Sequence, residues 1–265
     1  MNSKISSTLT SVAIILALSA GLFVLFARGT PAQTADLRVM ISDGMKPVVE
    51  ELTPQIEKAI GRKLAEQFNS SKNLRDKIQN GESFDTAILS ADILDDLIKQ
   101  GKIAPGSRAE LARTGMGVGV RAGAAKPDVS NPEAMKRALL NAKFISFNPT
   151  GASAPHTFAM IDRLGITNEI KPKLMLDAEA GRPQKNVIDG KADLVISLIP
   201  EIKFFPGVEL AGPVPAEFQS YVNFAAGIAA NSRDADAAKA LIQFLGGPGA
   251  KEIIKTKGME PRSGI

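Results

Sequence analysis

Short apolar runs along the chain alternate with stretches in which apolar residues recur every three or four positions. Leu37–Ile41 is such a run and predicts a buried strand. Met45–Ile60 follows, with Val48, Val49, Leu52, Ile56 and Ile60 at helical spacing. Pro47 suits the first turn of that helix, where its missing N–H costs nothing, and Gly61 ends it. Lys63–Phe68 predicts a second strand, Ser71–Asn80 a helix with Leu74 and Ile78 four apart, and Asp85–Leu89 a third strand. Ser90 is placed to cap a helix over Asp92–Gln100, stopped by Gly101. Strand and helix in strict alternation predict a parallel sheet covered by helices, an α/β fold.

The pattern continues with a strand over Thr114–Arg121 that joins two lobes. Helices are predicted over Pro132–Asn141, Pro155–Leu164, Ala180–Asp189, Ala235–Leu245 and Gly249–Lys257. Strands are predicted over Phe144–Phe147, Asp193–Leu198 and Tyr221–Ile228, and the Pro/Gly-rich Pro206–Pro215 reads as the return crossing. The N-terminus follows a different rule. Thr8 to Ala27 carries no charge and Lys4 precedes it, the pattern of an export signal. The run is also long enough to cross a bilayer, so it is either cleaved near Ala32 or Ala35 or kept as an anchor. In both cases the chain from Asp36 onward lies outside the cytoplasm. The expected organisation is residues 1–35 as signal peptide or anchor, 36–115 plus 216–265 as one lobe, and 116–215 as the other.

Composition narrows the chemistry. The chain of 265 residues has no cysteine, which removes disulfides, thiolate metal sites, a cysteine nucleophile and a lipid-attachment cysteine. It has no tryptophan and a single tyrosine, Tyr221, so a stacking surface for sugars or bases is hard to build. The net charge of +4 comes partly from the chain ends, with basic and acidic residues otherwise interspersed, which argues against a nucleic-acid partner. There is one histidine and no serine in a Gly-x-Ser-x-Gly elbow. The pairs Asp95-Asp96 and Glu50-Glu51 point apart on their helices, and no His/Asp/Glu cluster has metal-site spacing. No enzyme activity, cofactor or metal is expected.

Three strand-to-helix loops share a small, polar composition: Ser42–Gly44, Asn69–Ser71 and Asn148–Ala154. Ligands of open parallel sheets sit past the carboxyl ends of strands, and helix starts present N–H donors to anions. Ser71, Ser90 and Ser153 can serve there as ligands or simply as helix caps. Asp43 can touch a guest or cap its helix. His156, near a helix start, and Arg182, in the Glu179–Pro183 turn, can reach a guest or stay solvated, as can Lys72.

The segments FNSSKNLRDKIQNG, FDTAILSAD and the closing KTKGMEP resemble the periplasmic molybdate-binding family of ABC transporters, most strongly over Leu37–Lys102. The "MKP–EEL" and "PGVEL–GP" segments, Met45–Leu52 and Pro206–Pro213, resemble one branch of it. The resemblance implies a type 2 periplasmic-binding fold: two Rossmann-like lobes, two crossings, a ligand cleft between them, and an inner-membrane ABC permease as partner of a monomer. It also implies an oxyanion site. Ser71 matches the family's second-loop serine, and Gly44 falls where the family has its first-loop serine. Ala154 and Ala180 or Gly181 fall near backbone donors, and Ser197 or Leu198 replaces the family's tyrosine. The expected ligand set is therefore Asp43, Gly44, Ser71, Ser153, Ala154, His156, Gly181, Arg182 and Ser197. The expected function is capture of a small polar, anionic solute for an ABC importer. The alternatives are an anchored solute sensor or a periplasmic hydrolase.

Overall fold

A computed structural model describes residues 35–262. The expected N-terminal signal or anchor lies outside these residues. No helix among the described residues is long and apolar enough to cross a membrane.

The core is two sheets with helices on their faces. The first contains β1 (Leu37–Ser42), β2 (Leu64–Asn69), β3 (Thr86–Ser90), β4 (Ala109–Thr114), β10 (Val222–Ile228) and β11 (Glu260–Pro261), in the order β11-β4-β10-β3-β1-β2. β1 runs parallel to β2 and β3, whereas β10 is antiparallel to β3 and β4. The second holds β5 (Met116–Arg121), β6 (Ile145–Phe147), β7 (Leu174–Leu176), β8 (Leu194–Leu198) and β9 (Val208–Pro213), in the order β7-β6-β8-β5-β9. β6 is parallel to β7 and β8, and β5 is antiparallel to its neighbours β8 and β9. This is the expected α/β architecture of two lobes.

In the first lobe lie helices α1 (Lys46–Ile60), α2 (Ser71–Gln79) and α3 (Ala91–Lys99). In the second lie α4 (Pro132–Asn141), α5 (Ala154–Arg163), α6 (Thr167–Ile170), α7 (Arg182–Ile188) and α8 (Ile199–Lys203). The chain ends with α9 (Ala235–Gly246) and α10 (Pro248–Thr256). α1 buries Val48, Val49, Leu52 and Ile56, the residues whose spacing predicted it. It stops where Gly61 turns left-handed at φ 65° and donates its N–H to the Glu57 carbonyl.

Three expectations change. Thr114–Arg121 is not one strand: β4 ends at Thr114 in one sheet, β5 starts at Met116 in the other, and Gly115 is the crossing. Pro206–Pro215 is not the return crossing, because Val208–Pro213 pairs with β5 as an edge strand, where proline and glycine are tolerated. The return runs through Val214–Tyr221. Ser90 does not cap α3 with its side chain; its N–H instead donates to the Ser71 hydroxyl at 2.9 Å.

A side chain ties the crossings together. Gln219, on the return, accepts the Met116 N–H at 2.7 Å and donates to the carbonyls of Met116 at 3.0 Å and Val214 at 3.3 Å. Gly115 leaves room for it, since a Cβ there would sit 2.9 Å from the Gln219 amide carbon.

Candidate ligand-binding cleft

The carboxyl ends of β1, β2 and β8 and the start of α5 open into a hollow of about 900 Å³. Serines from both lobes line it: Ser42 and Ser70 from one, Ser153 and Ser197 from the other. All four are buried, at 2%, 3%, 4% and 7% exposure; Ser70 and Ser197 give their hydroxyl protons to Thr150 and Glu201, which leaves the Ser42 and Ser153 hydroxyls to donate to a guest. Pro200, Phe204, Phe205 and Pro206 form an apolar wall.

The remaining lining is charged. Lys46, Arg182, Lys185 and Lys257 face five carboxyl groups, Asp43, Glu50, Glu51, Glu179 and Glu201. Most of the cations have partners on the walls. Arg182 pairs with Glu179 at 2.7 Å, Lys257 with Glu51, and Lys46 more loosely with Glu50 at 3.6 Å. Lys257 also stands over the Phe204 ring at 4.3 Å.

Asp43 and Glu201 differ from the other acids. Asp43 occupies the single 3-10 turn between β1 and α1; neither that turn nor α1 has a side-chain cap, so Asp43 does not serve as one. Burial pushes its carboxyl up to about 6, against a smaller opposing pull from Lys46. Glu201, three residues past the end of β8, receives the Ser197 hydroxyl. Its carboxyl is pushed up to about 7, chiefly by burial and further by the charge of Asp43, while the Ser197 hydrogen bond works the other way. Asp43 is thus half-protonated near pH 6 and Glu201 near pH 7. With both ionised the lining carries one excess negative charge; with both protonated, one excess positive charge.

A hollow of about 510 Å³ lies on the other side of Thr150. Ser70 and Thr150 bridge the lobes between the two hollows, Oγ to Oγ1 at 3.2 Å. Thr150 donates its own proton to Asn148 Oδ1 at 2.8 Å, so Ser70 is the donor in the bridge. Ser70 Oγ also accepts the Asn73 N–H and caps α2. Ser70→Ala is expected to cost about 1 kcal/mol of stability, read from the denaturant midpoint.

The structure brings Asp43, Ser153, Gly181, Arg182 and Ser197 together at the larger hollow. It places Ser71 and His156 at the smaller one, where Ser71 accepts from Ser90. Gly44 and Ala154 line neither. Gly44 is buried, and the Ala154 N–H is spent on the Gly151 carbonyl at 3.0 Å. Sequence reasoning missed Ser70, Lys46, Lys257 and Glu201. The signal for Glu201 was its place just past the carboxyl end of a buried strand, behind Pro200.

The family profile of bacterial extracellular solute-binding proteins matches residues 37–260. An aconitate isomerase from a Pseudomonas species is 28% identical over 232 residues, covering 85% of this chain and 87% of the relative. The molybdate-binding protein ModA of Azotobacter vinelandii is 27% identical over 256 residues, covering 92% and 96%. Among solved structures, the periplasmic molybdate-binding protein of A. vinelandii superposes with a TM-score of 0.71 at 19% identity, over 84% of this chain and 98% of that one.

Proposed function

Because the chain belongs to the family of bacterial extracellular solute-binding proteins, we propose that it captures a small anionic solute, an oxyanion or a carboxylate, and delivers it to an inner-membrane ABC importer. The observation that carries this reading is the convergence of buried serines from both lobes on one hollow, where Ser42 from one and Ser153 from the other have hydroxyl protons to give. Hydroxyls can wrap an anion without bringing a counter-charge that would hold it too firmly for release. In this reading the lobes are residues 36–115 plus 216–265 and 116–215. The protein works as a monomer, the N-terminal segment directs export, and the guest leaves unchanged.

The test is calorimetry with molybdate, sulfate, phosphate and tricarboxylates. A ligand at a hundred times its Kd adds about 2.7 kcal/mol to stability, so a thermal shift is a parallel readout. Failure of every oxyanion and carboxylate to bind would sink the reading. Binding should also depend on pH. An anion favours the protonated forms of Asp43 and Glu201, whose values are about 6 and about 7. Affinity is therefore highest below pH 6 and falls as pH rises through both values, by up to about tenfold per unit for each proton taken up. A flat profile between pH 5.5 and 8.5 would show that the guest does not meet these groups.

A second reading rests on an observation of its own. Asp43 and Glu201 share one hollow with carboxyl values raised to about 6 and about 7, and the Pseudomonas relative is named an aconitate isomerase. Here the same cleft would convert a polycarboxylate. Incubation with cis- or trans-aconitate, followed for the other isomer, decides between the two readings.

A further inference from the structure

We infer that Asp43 and Glu201 are a proton-transfer pair that moves an allylic proton of an unsaturated polycarboxylate held in the cleft. The inference rests on the second reading above and deepens it, by naming the groups and the step.

The two carboxyls come from different lobes, one past β1 and one past β8, and face the same hollow closely enough for one charge to affect the other. Two carboxyls on neighbouring elements, the turn after β1 and α8, can address the two end carbons of a three-carbon unit, one taking a proton while the other gives one, which a single acid cannot. Ser197 holds Glu201 by a hydrogen bond, so that carboxyl has a set direction. Phe204 and Phe205 form an apolar wall of the same hollow. The charged groups around the pair are Lys46 from α1, Arg182 and Lys185 from α7 and Lys257 from α10, with their acidic partners Glu50, Glu179, Asp189 and Glu51. The cations suit the carboxylates of a guest, and Ser42 and Ser153 supply neutral donors to the same oxygens.

The chemistry then sets the substrate class. Carboxylates with values of about 6 and about 7 are well matched to exchange a proton near neutral pH. They are weak bases, so the C–H must be acidified twice: by an adjacent carboxylate, and by a double bond conjugated to another. In the step, the ionised member removes a proton from the sp3 carbon. The C–H bond breaks, a carboxyl O–H forms, and the electron pair spreads across the three-carbon unit into the conjugated carboxylate. The protonated partner then gives its proton to the far carbon, where a C–H bond forms and the double bond takes up its new position. The pair holds one proton before and after, with the roles of its members exchanged, and no oxidant or co-reactant is consumed.

The test uses the full chain in D2O with cis-aconitate, followed by proton NMR, and calorimetry with propane-1,2,3-tricarboxylate, which has no double bond to shift. The wild type is expected to bind both and to incorporate deuterium into aconitate as the isomers interconvert. The rate should peak between pH 6 and 7, where the pair holds one proton. Asp43→Asn and Glu201→Gln should each slow incorporation by about 100-fold or more while still binding the saturated tricarboxylate. If the wild type binds aconitate and exchanges nothing, the inference falls and the capture reading stands. Exchange at the wild-type rate in either variant also overturns it. If neither tricarboxylate binds while molybdate or sulfate does, the inference falls together with the second reading, and capture of an oxyanion remains.

Discussion

Replacing Asp85 with alanine lowers the unfolding free energy by about 2–3 kcal/mol, the cost of leaving several half-buried donors without their acceptor. Asp85 is 3% exposed, just before β3. Its Oδ2 accepts the Arg38 backbone N–H and Nε, both at 3.0 Å, and its Oδ1 accepts the second guanidinium nitrogen at 2.9 Å. Oδ1 also takes the Arg233 N–H at 3.0 Å, from the turn that leads into α9. One carboxylate thus joins β1, the approach to β3 and the turn after β10. Alanine would leave these donors without their acceptor, although the part-exposed Arg38 guanidinium keeps some access to water. Burial alone would raise this carboxyl, but the hydrogen bonds from Arg38 and from the Arg38 and Arg233 backbone outweigh it and hold the value at about 2. Because the folded value lies below the ordinary one, the contribution is complete above pH 4. It is lost as pH falls from there through 2. Urea midpoints of the wild type and Asp85→Ala at pH 7 check the first claim. A series down to pH 2.5 should bring the two proteins closer, and parallel curves would refute the pH argument.

Gly44→Ser costs about 1–3 kcal/mol and supplies no hydroxyl to the cleft. Gly44 follows Asp43 in the turn after β1, but it faces inward. A Cβ there would lie 2.5 Å from Phe224 Cζ and 2.9 Å from Leu198 Cδ1. Phe224 is fully buried on β10 and Leu198 ends β8, so the added atom would wedge between the two lobes. The ring cannot simply rotate away in a core packed to native density. Phe224→Leu in the same chain shortens the opposing side chain and should restore part of the loss, a coupling that a double-mutant cycle reads directly. For a chain of this size each kcal/mol corresponds to about 2–4 °C in Tm. Gly44→Ser with wild-type Tm would show that the turn yields and that the contact is soft.

Much of the fold was legible because it depends on spacing. Val48, Val49, Leu52 and Ile56 predict α1 and then bury it, and the charge-poor runs Leu37–Ile41 and Asp193–Leu198 become β1 and β8. What spacing could not reveal were elements that exist only through pairing. β9 is rich in glycine and proline and is a strand because β5 lies beside it; β11 is two residues long and pairs back with β4. α8 is five residues with a proline at its second position, too short for a period, and it hid Glu201. The site was legible at the level of loops but not of atoms. The loop Asn69–Ser71 does supply the cleft, through Ser70, while its neighbour Ser71 turns to Ser90 and the smaller hollow. Two adjacent serines at a helix start look alike in sequence, and only the backbone direction separates them. Lys257 was invisible for another reason: it arrives from the far end of the chain, and nothing local marks its meeting with Glu51 and Phe204.

The Gln219 amide has a mechanical corollary. Two straps fastened to each other at one spot act as a pivot, with neither free to lengthen against the other. Swinging of one half against its mate is then the soft mode, while sliding and pulling apart are stiff. Such a joint would return the guest-facing walls to the same alignment on every stroke, and a trimmed side chain at Gln219 would loosen that alignment without touching the guest.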